Sequence, residues 1–155
     1  MPTYKERLLR QLHSPRAAER AEATDMLWHW WFSAAGAEGA RLLQEAEALM
    51  AQEAYDACEA ALTHIIKHLP DFAGAWNRRA TLRFLRRQYA ASLADCHEVL
   101  QREPQHFGAW HGQGLCQLEL HQYDQALASF RRALDIQPYA LTNLELMRDC
   151  QAKLN

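Results

Sequence analysis

Three prolines, Pro70, Pro104 and Pro138, stand 34 residues apart, and the chain around each of them keeps the same register. Tyr55, Tyr89 and Tyr123 fall in one column, and Ala46, Ala80 and Gly114 in a second that is always small. Leu62, Cys96 and Phe130 share a third, and the pairs Ile65-Ile66, Val99-Leu100 and Ala133-Leu134 align too. Trp76 and Trp110 coincide in the two later copies. A period of this length, held in several independent columns, describes one supersecondary unit stacked on itself. A single unit buries too little apolar surface to stand alone.

Composition says that the unit is helical. The 155 residues include 27 Ala and 22 Leu but one Val, three Ile and five Thr, the reverse of what strands draw on. In the third copy Tyr123, Leu127, Phe130 and Leu134 recur at helical spacing and make one apolar stripe. Pro138 then ends the helix, since proline has no N–H to donate and clashes with the preceding turn. The small column at 46, 80 and 114 lets paired helices approach closely.

The pattern resembles the tetratricopeptide repeat, a 34-residue helix–turn–helix unit with tryptophan, small, tyrosine, alanine and proline at these offsets. The copies span 39–70, 73–104 and 107–138; the first departs from the pattern, with Leu42 at the aromatic position and Glu53 where glycine is common. The resemblance implies an all-α right-handed superhelix of three repeats. Residues 140–153, with Leu141, Leu144 and Met147 on one face, are read as the capping helix that covers the third copy. Residues 1–36 are read as an N-terminal helical pair, Thr3–Leu12 and Pro15 to about Ser33. Ser14 caps the second helix, Pro15 lies in its first turn and Gly36 ends it. The whole makes one folded domain. The segments Pro70-Asp71-Phe72, Trp76 to Thr81 and Glu103 to Ala109, with Leu27-Trp28 and Trp31 before them, also resemble short bacterial single-domain proteins of this repeat class.

In such a fold the first helix of each copy lines the concave face, so the resemblance places a peptide-binding groove at Asn77, Arg78, Thr81, Phe84, His111, Gly112 and Leu115. Asn77, Arg78 and Thr81 project from adjacent turns, with His111 opposite, and together they suit a carboxylate or a peptide amide. Gly112 stands out because a helix-interior glycine costs about 0.5–1 kcal/mol relative to alanine. Either it leaves room for a ligand or it is a tolerated weak point. Chaperone-binding members of the family hold a terminal carboxylate with lysines, asparagines and an arginine. Here those positions are Leu43, Glu47, Arg78, Gly108 and Gly112, so every clamp position differs.

Charge is uneven although the net is only −2. Residues 39–70 carry two basic and five acidic side chains, whereas 73–104 carry six arginines and three acids. The basic middle copy is read as steering an acidic or C-terminal partner segment. Nucleic acid is not expected without a global basic excess, and an RNA-binding repeat is the weakest alternative because copy one is acidic. Glu45, Arg79 and Gln113 share a column, which suggests a polar ladder with a Glu45–Arg79 ion pair.

Several other features carry structure rather than chemistry. Cys58, Cys96, Cys116 and Cys150 lie far apart with no paired spacing and read as buried apolar residues. His64 and His68 stand four apart with no third ligand at a matching offset. No catalytic triad, phosphate-cradling loop, cofactor motif or metal set is legible. Trp28 and Trp31 share a helix face and are expected to pack on copy one, with Trp30 pointing elsewhere. The run from Met26 to Ala37 is too short to span a membrane and no leader precedes it, so a cytoplasmic protein is expected. The reading that best accommodates these features is a non-catalytic adaptor that binds a peptide or helix of a partner protein in its groove. The alternative is a self-associating scaffold, a homo-oligomer whose groove is filled by its own chain or a neighbour.

Overall fold

The computed structural model describes all 155 residues and contains nine helices and no strand. A short α1 (Tyr4–Gln11) and a longer α2 (Ala17–Phe32) precede three helix pairs: α3 (Gly36–Ala51) with α4 (Tyr55–His68), α5 (Ala73–Leu85) with α6 (Tyr89–Arg102), and α7 (Phe107–Glu119) with α8 (Tyr123–Ile136). A last helix, α9 (Leu141–Leu154), packs on α8. No helix is long and apolar enough to cross a membrane.

The 34-residue period is visible in the backbone itself. Glu53, Arg87 and His121 are the non-glycine residues with positive φ, at 58°, 60° and 61°. Each sits just past the first helix of its pair and closes the same double hydrogen bond: Ala54, Gln88 and Gln122 donate to Leu49, Arg83 and Gln117 at 2.8–2.9 Å. Glu53, Arg87 and His121 themselves donate to Met50, Phe84 and Leu118. This is a Schellman ending, which favours glycine because a Cβ in the left-handed region costs about 1–2 kcal/mol. We expect Glu53→Gly and Arg87→Gly each to raise the urea-unfolding free energy by about 0.5–1 kcal/mol, glycine's larger unfolded-state entropy offsetting the rest of the relief.

The aligned side chains repeat their bonds as well. Trp76 Nε1–H donates to the Pro70 carbonyl at 2.8 Å and Trp110 Nε1–H to that of Pro104 at 2.7 Å, so each tryptophan locks the turn that introduces its helix. Gly114 is required by packing: a Cβ there would lie 2.6–2.8 Å from the Phe130 ring. All four cysteines are buried and free.

The boundary between α1 and α2 departs from the sequence expectation. The helix starts at Ala17 with Arg16 as the capping residue, and Arg16 makes no side-chain capping bond. Ser14 instead bridges the turn, accepting from Arg16 N–H at 3.1 Å and donating to Glu19. Gly36 opens α3 with φ +80° rather than ending α2, which stops at Phe32.

Charge at the repeat interfaces

The acidic first copy and the arginine-rich second copy face each other. On α4, Asp56, Glu59 and Thr63 lie one or two turns apart on one face; Arg79 and Arg83 of α5, with Arg86 at its C-cap, do the same in the opposite direction. Arg86 pairs with Asp56 at 2.8 Å, Arg83 with Glu59 at 3.4 Å, and Arg79 donates to Thr63 at 3.1 Å. Arg79 also makes a two-pronged contact with Asp95 of α6 at 2.9 and 3.0 Å, and Arg83 reaches the same carboxylate at 3.0 Å.

The Glu45–Arg79 pair expected from the column alignment does not form. Glu45 turns to Arg41 on its own helix, and Arg79 turns to Asp95, 16 residues on. Gln113, the next member of the column, follows the same 16-residue rule and donates to Ser129 at 2.9 Å. In copies two and three the polar column therefore ties the two helices of a repeat together, and Arg79 also reaches back to Thr63 of the preceding repeat. Arg78 pairs with Glu47 and Arg102 with Glu98. Of the six arginines in 73–104, five are engaged in internal ion pairs, which leaves Arg87.

Candidate binding groove

Helices α5 and α7 enclose a pocket of about 230 Å³ with a predominantly apolar lining. It brings together Asn77, Thr81 and Phe84 from α5 with His111, Gly112 and Leu115 from α7. Six of the seven residues expected from the sequence thus share one cavity. Arg78 lies outside it, held by Glu47 with its guanidinium 5.9 Å from the Trp28 ring. Leu85 stands at the pocket with 57% exposure, and Ala80, Ser92, Cys96 and Gly108 complete the lining.

The pocket's polar atoms are mostly committed. Thr81 Oγ1–H donates to the Asn77 carbonyl at 3.1 Å and Ser92 Oγ–H to the Ala80 carbonyl at 2.6 Å. His111 Nδ1–H donates to Asn143 Oδ1 of α9 at 2.7 Å, so the C-terminal helix sets the imidazole's orientation. The Asn77 carboxamide makes no hydrogen bond within the chain. Gly112 is open on the pocket side: a Cβ there would meet only Cys96 Sγ, at 3.4 Å.

A second cleft, wider at about 680 Å³, opens between α1 and α8. Glu6, Arg10, Arg132 and Asp135 line it, so both signs of charge face an exposed hollow. Small-ligand and side-chain sites are concave and chiefly apolar, which favours the smaller pocket.

The N-terminal hairpin defines the other end of the groove. Trp28 and Trp31 do not join the core of copy one as expected but pack at the start of copy three. Trp31 stacks on His106 with centroids 3.9 Å apart, and Trp28 meets His106 and Phe107 edge-on at 5.2 and 5.5 Å. A Cβ on Gly108 would lie 2.5 Å from the Trp28 ring, and one on Gly74 would lie 3.1 Å from the Trp31 carbonyl. Gly74 and Gly108 occupy one repeat column, and α2 lies against both, with a ring at Gly108 and a backbone carbonyl at Gly74. Farther up α2, Arg20 lies over the Tyr139 ring at 3.9 Å and Thr24 accepts from Gln137 at 3.3 Å. Lys5 of α1 pairs with Glu103 at 2.9 Å. The hairpin thus runs across the turns before α5, α7 and α9. Sequence reasoning found its apolar face but not its destination, because the segment lies outside the repeat register. Trp30 points away, half-exposed beside Tyr4.

His106 was not singled out from the sequence. It caps α7, its Nδ1 accepting from Ala109 N–H at 3.0 Å, and it is fully buried. Burial drives its pKa down to about 3, with the nearby Arg78 charge acting in the same direction. The ring is therefore neutral and carries its proton on Nε2, which has no hydrogen-bond partner.

Comparison with known proteins follows this geometry. The tetratricopeptide repeat family model matches residues 108–139. The chain has the tetratricopeptide-repeat fold. Its structure resembles the first such domain of Spaghetti (RPAP3) bound to the HSP90 peptide SRMEEVD, with TM-score 0.71, 18% identity, and 73% of this chain and 90% of that one covered. It also resembles the Sgt2 domain of Aspergillus fumigatus, with TM-score 0.70, 18% identity, and 76% and 80% covered. The domain of yeast Sti1 in complex with an Hsp70 peptide gives TM-score 0.65, 17% identity, and 73% and 98% covered. The search of curated proteins returns no match.

Proposed function

We propose that this chain is a non-catalytic adaptor whose groove holds a peptide or helix of a partner protein by an apolar anchor side chain. The apolar pocket between α5 and α7 carries the reading, because it gathers six of the expected groove residues and offers one uncommitted amide, that of Asn77. Peptide binding by the similar domains of Spaghetti and Sti1 supports the same class of ligand. The internal pairing of the middle-copy arginines favours an apolar anchor over an acidic or C-terminal segment, since the cations that would attract a carboxylate already hold one.

Gly112 separates the readings of its own role. Gly112→Ala replaces a poor helix former at the pocket wall and is expected to raise unfolding free energy by about 0.5–1 kcal/mol. Gly112→Leu fills the pocket. Peptides selected from a random display library on the full chain are expected to share a large apolar residue and to bind Gly112→Leu at least about tenfold more weakly, the scale of a lost buried anchor. Enrichment of acidic runs or terminal carboxylates, indifferent to Gly112→Leu, would overturn the apolar-anchor reading.

A further inference from the structure

The part of the groove nearest the turns is already filled. Trp28 and Trp31, one helical turn apart on α2, seat one ring in the Gly108 notch and stack the other on His106, with the Trp31 carbonyl over Gly74, while the open pocket occupies the groove beyond Asn77 and Gly108. The seam is poorly satisfied. His106 Nε2–H and Trp31 Nε1–H are both buried there without an acceptor, beside a residual void of about 10 Å³. Buried donors left unpaired are rare because each forfeits its hydration without replacement. The hairpin also makes most of its own core: of the six buried residues in its cluster, Leu8, Leu12, Ala23, Leu27 and Trp31 belong to α1 and α2, and Phe107 alone comes from the repeats. An element that carries its own core and meets its neighbours through unsatisfied polar groups is suited to open as a unit.

We infer that the α1–α2 hairpin is a built-in, displaceable occupant of the groove, and that the partner displacing it is an amphipathic helix with two large aromatic side chains three residues apart and a hydrogen-bond acceptor on the same face. The first aromatic takes the Gly108 notch and the second stacks on His106, as Trp28 and Trp31 do, and the acceptor reaches the neutral His106 Nε2–H that α2 leaves empty. Displacement extends the partner's footprint from the apolar pocket to the turns, so the inference rests on the groove being the binding face. Apparent affinity then scales with the open fraction of the hairpin.

The test uses the full chain, a synthetic peptide of residues 17–32 as the probe, and a Lys5→Ala/Arg20→Ala variant. That variant removes the Glu103 ion pair and the Tyr139 contact while leaving the seam intact. The α1–α2 amides are expected to exchange faster than those of α4–α8, and faster again in the variant. The peptide is expected to bind the variant about five- to tenfold tighter than the wild type, the combined scale of one part-buried ion pair and one cation–π contact. The same gain is expected on a Gly112→Leu background, where the pocket is blocked but the Gly108 notch and the His106 face are not. Exchange of the hairpin only with global unfolding, or equal affinity for the two chains, would overturn the inference. Loss of peptide binding on Gly112→Leu would do so as well, by putting the peptide in the pocket. Failure of library-selected peptides to respond to Gly112→Leu bears instead on the pocket reading alone.

Discussion

Asp95→Ala is expected to lower the unfolding free energy by about 3–5 kcal/mol, a large share of the ~5–15 kcal/mol typical of a folded domain. Asp95 is 1% exposed and receives two hydrogen bonds from Arg79 and one from Arg83. Removing it leaves Arg79, whose side chain is 11% exposed, as a buried cation with only Thr63 and the face of Trp76, 5.1 Å away, for partners. The cost comes from that uncompensated charge more than from the pair's own attraction, because desolvating the two ions cancels much of the Coulomb gain. A second variant tests this cause. Arg79→Leu/Asp95→Leu removes both charges, and Arg83 keeps Glu59, so most of the lost stability should return. Urea titration of the three chains is the measurement; a loss below about 1 kcal/mol in Asp95→Ala would show a solvated surface pair instead.

The same arginines show how far a sequence carries this fold. Proline, tyrosine and small-residue columns fixed the repeat because each reports a local backbone or packing demand that recurs at one period. Turn residues 53, 87 and 121 also lie in that register, yet none is glycine, so only Glu53, at a position where the family commonly has glycine, hinted at their left-handed backbone. Charge was legible as an imbalance but not as a direction. An acidic helix face followed by a basic one describes a solvated pair of surfaces or an interface equally well, and only the antiparallel meeting of 56, 59 and 63 with 86, 83 and 79 decides between them. At the site, Asn77, Thr81, Phe84, His111, Gly112 and Leu115 came together because helical spacing and the repeat offset place them on facing walls. Arg78 did not, since Glu47 of the preceding repeat holds it outside. The hairpin was the least legible part: a segment with no copy of itself has no register from which its docking position follows.

Its burial of His106 has a consequence in pH. The neutral ring is favoured in the folded chain, with a pKa near 3, against an ordinary value of about 6.5 when unfolded. Above pH 6.5 neither state binds the proton and the residue contributes its full stability. As pH falls below 6.5 the unfolded chain takes up a proton that the folded chain refuses, so stability drops continuously toward the folded pKa. Each pH unit in that window costs up to about 1.4 kcal/mol, which makes roughly 2–3 kcal/mol between pH 6.5 and 4.5. His106→Asn keeps a side-chain acceptor for the Ala109 N–H but cannot take up a proton in this range. Its unfolding free energy should be lower than that of the wild type at pH 7, where the Trp31 stack is missed, and should fall less steeply on acidification. The two curves should therefore converge as pH approaches 4.5. Parallel curves would mean that water reaches His106 and that the hairpin does not seal the turn; convergence would tie the acid sensitivity to the seam between α2 and α7, where protonation of one ring loosens the hairpin's hold.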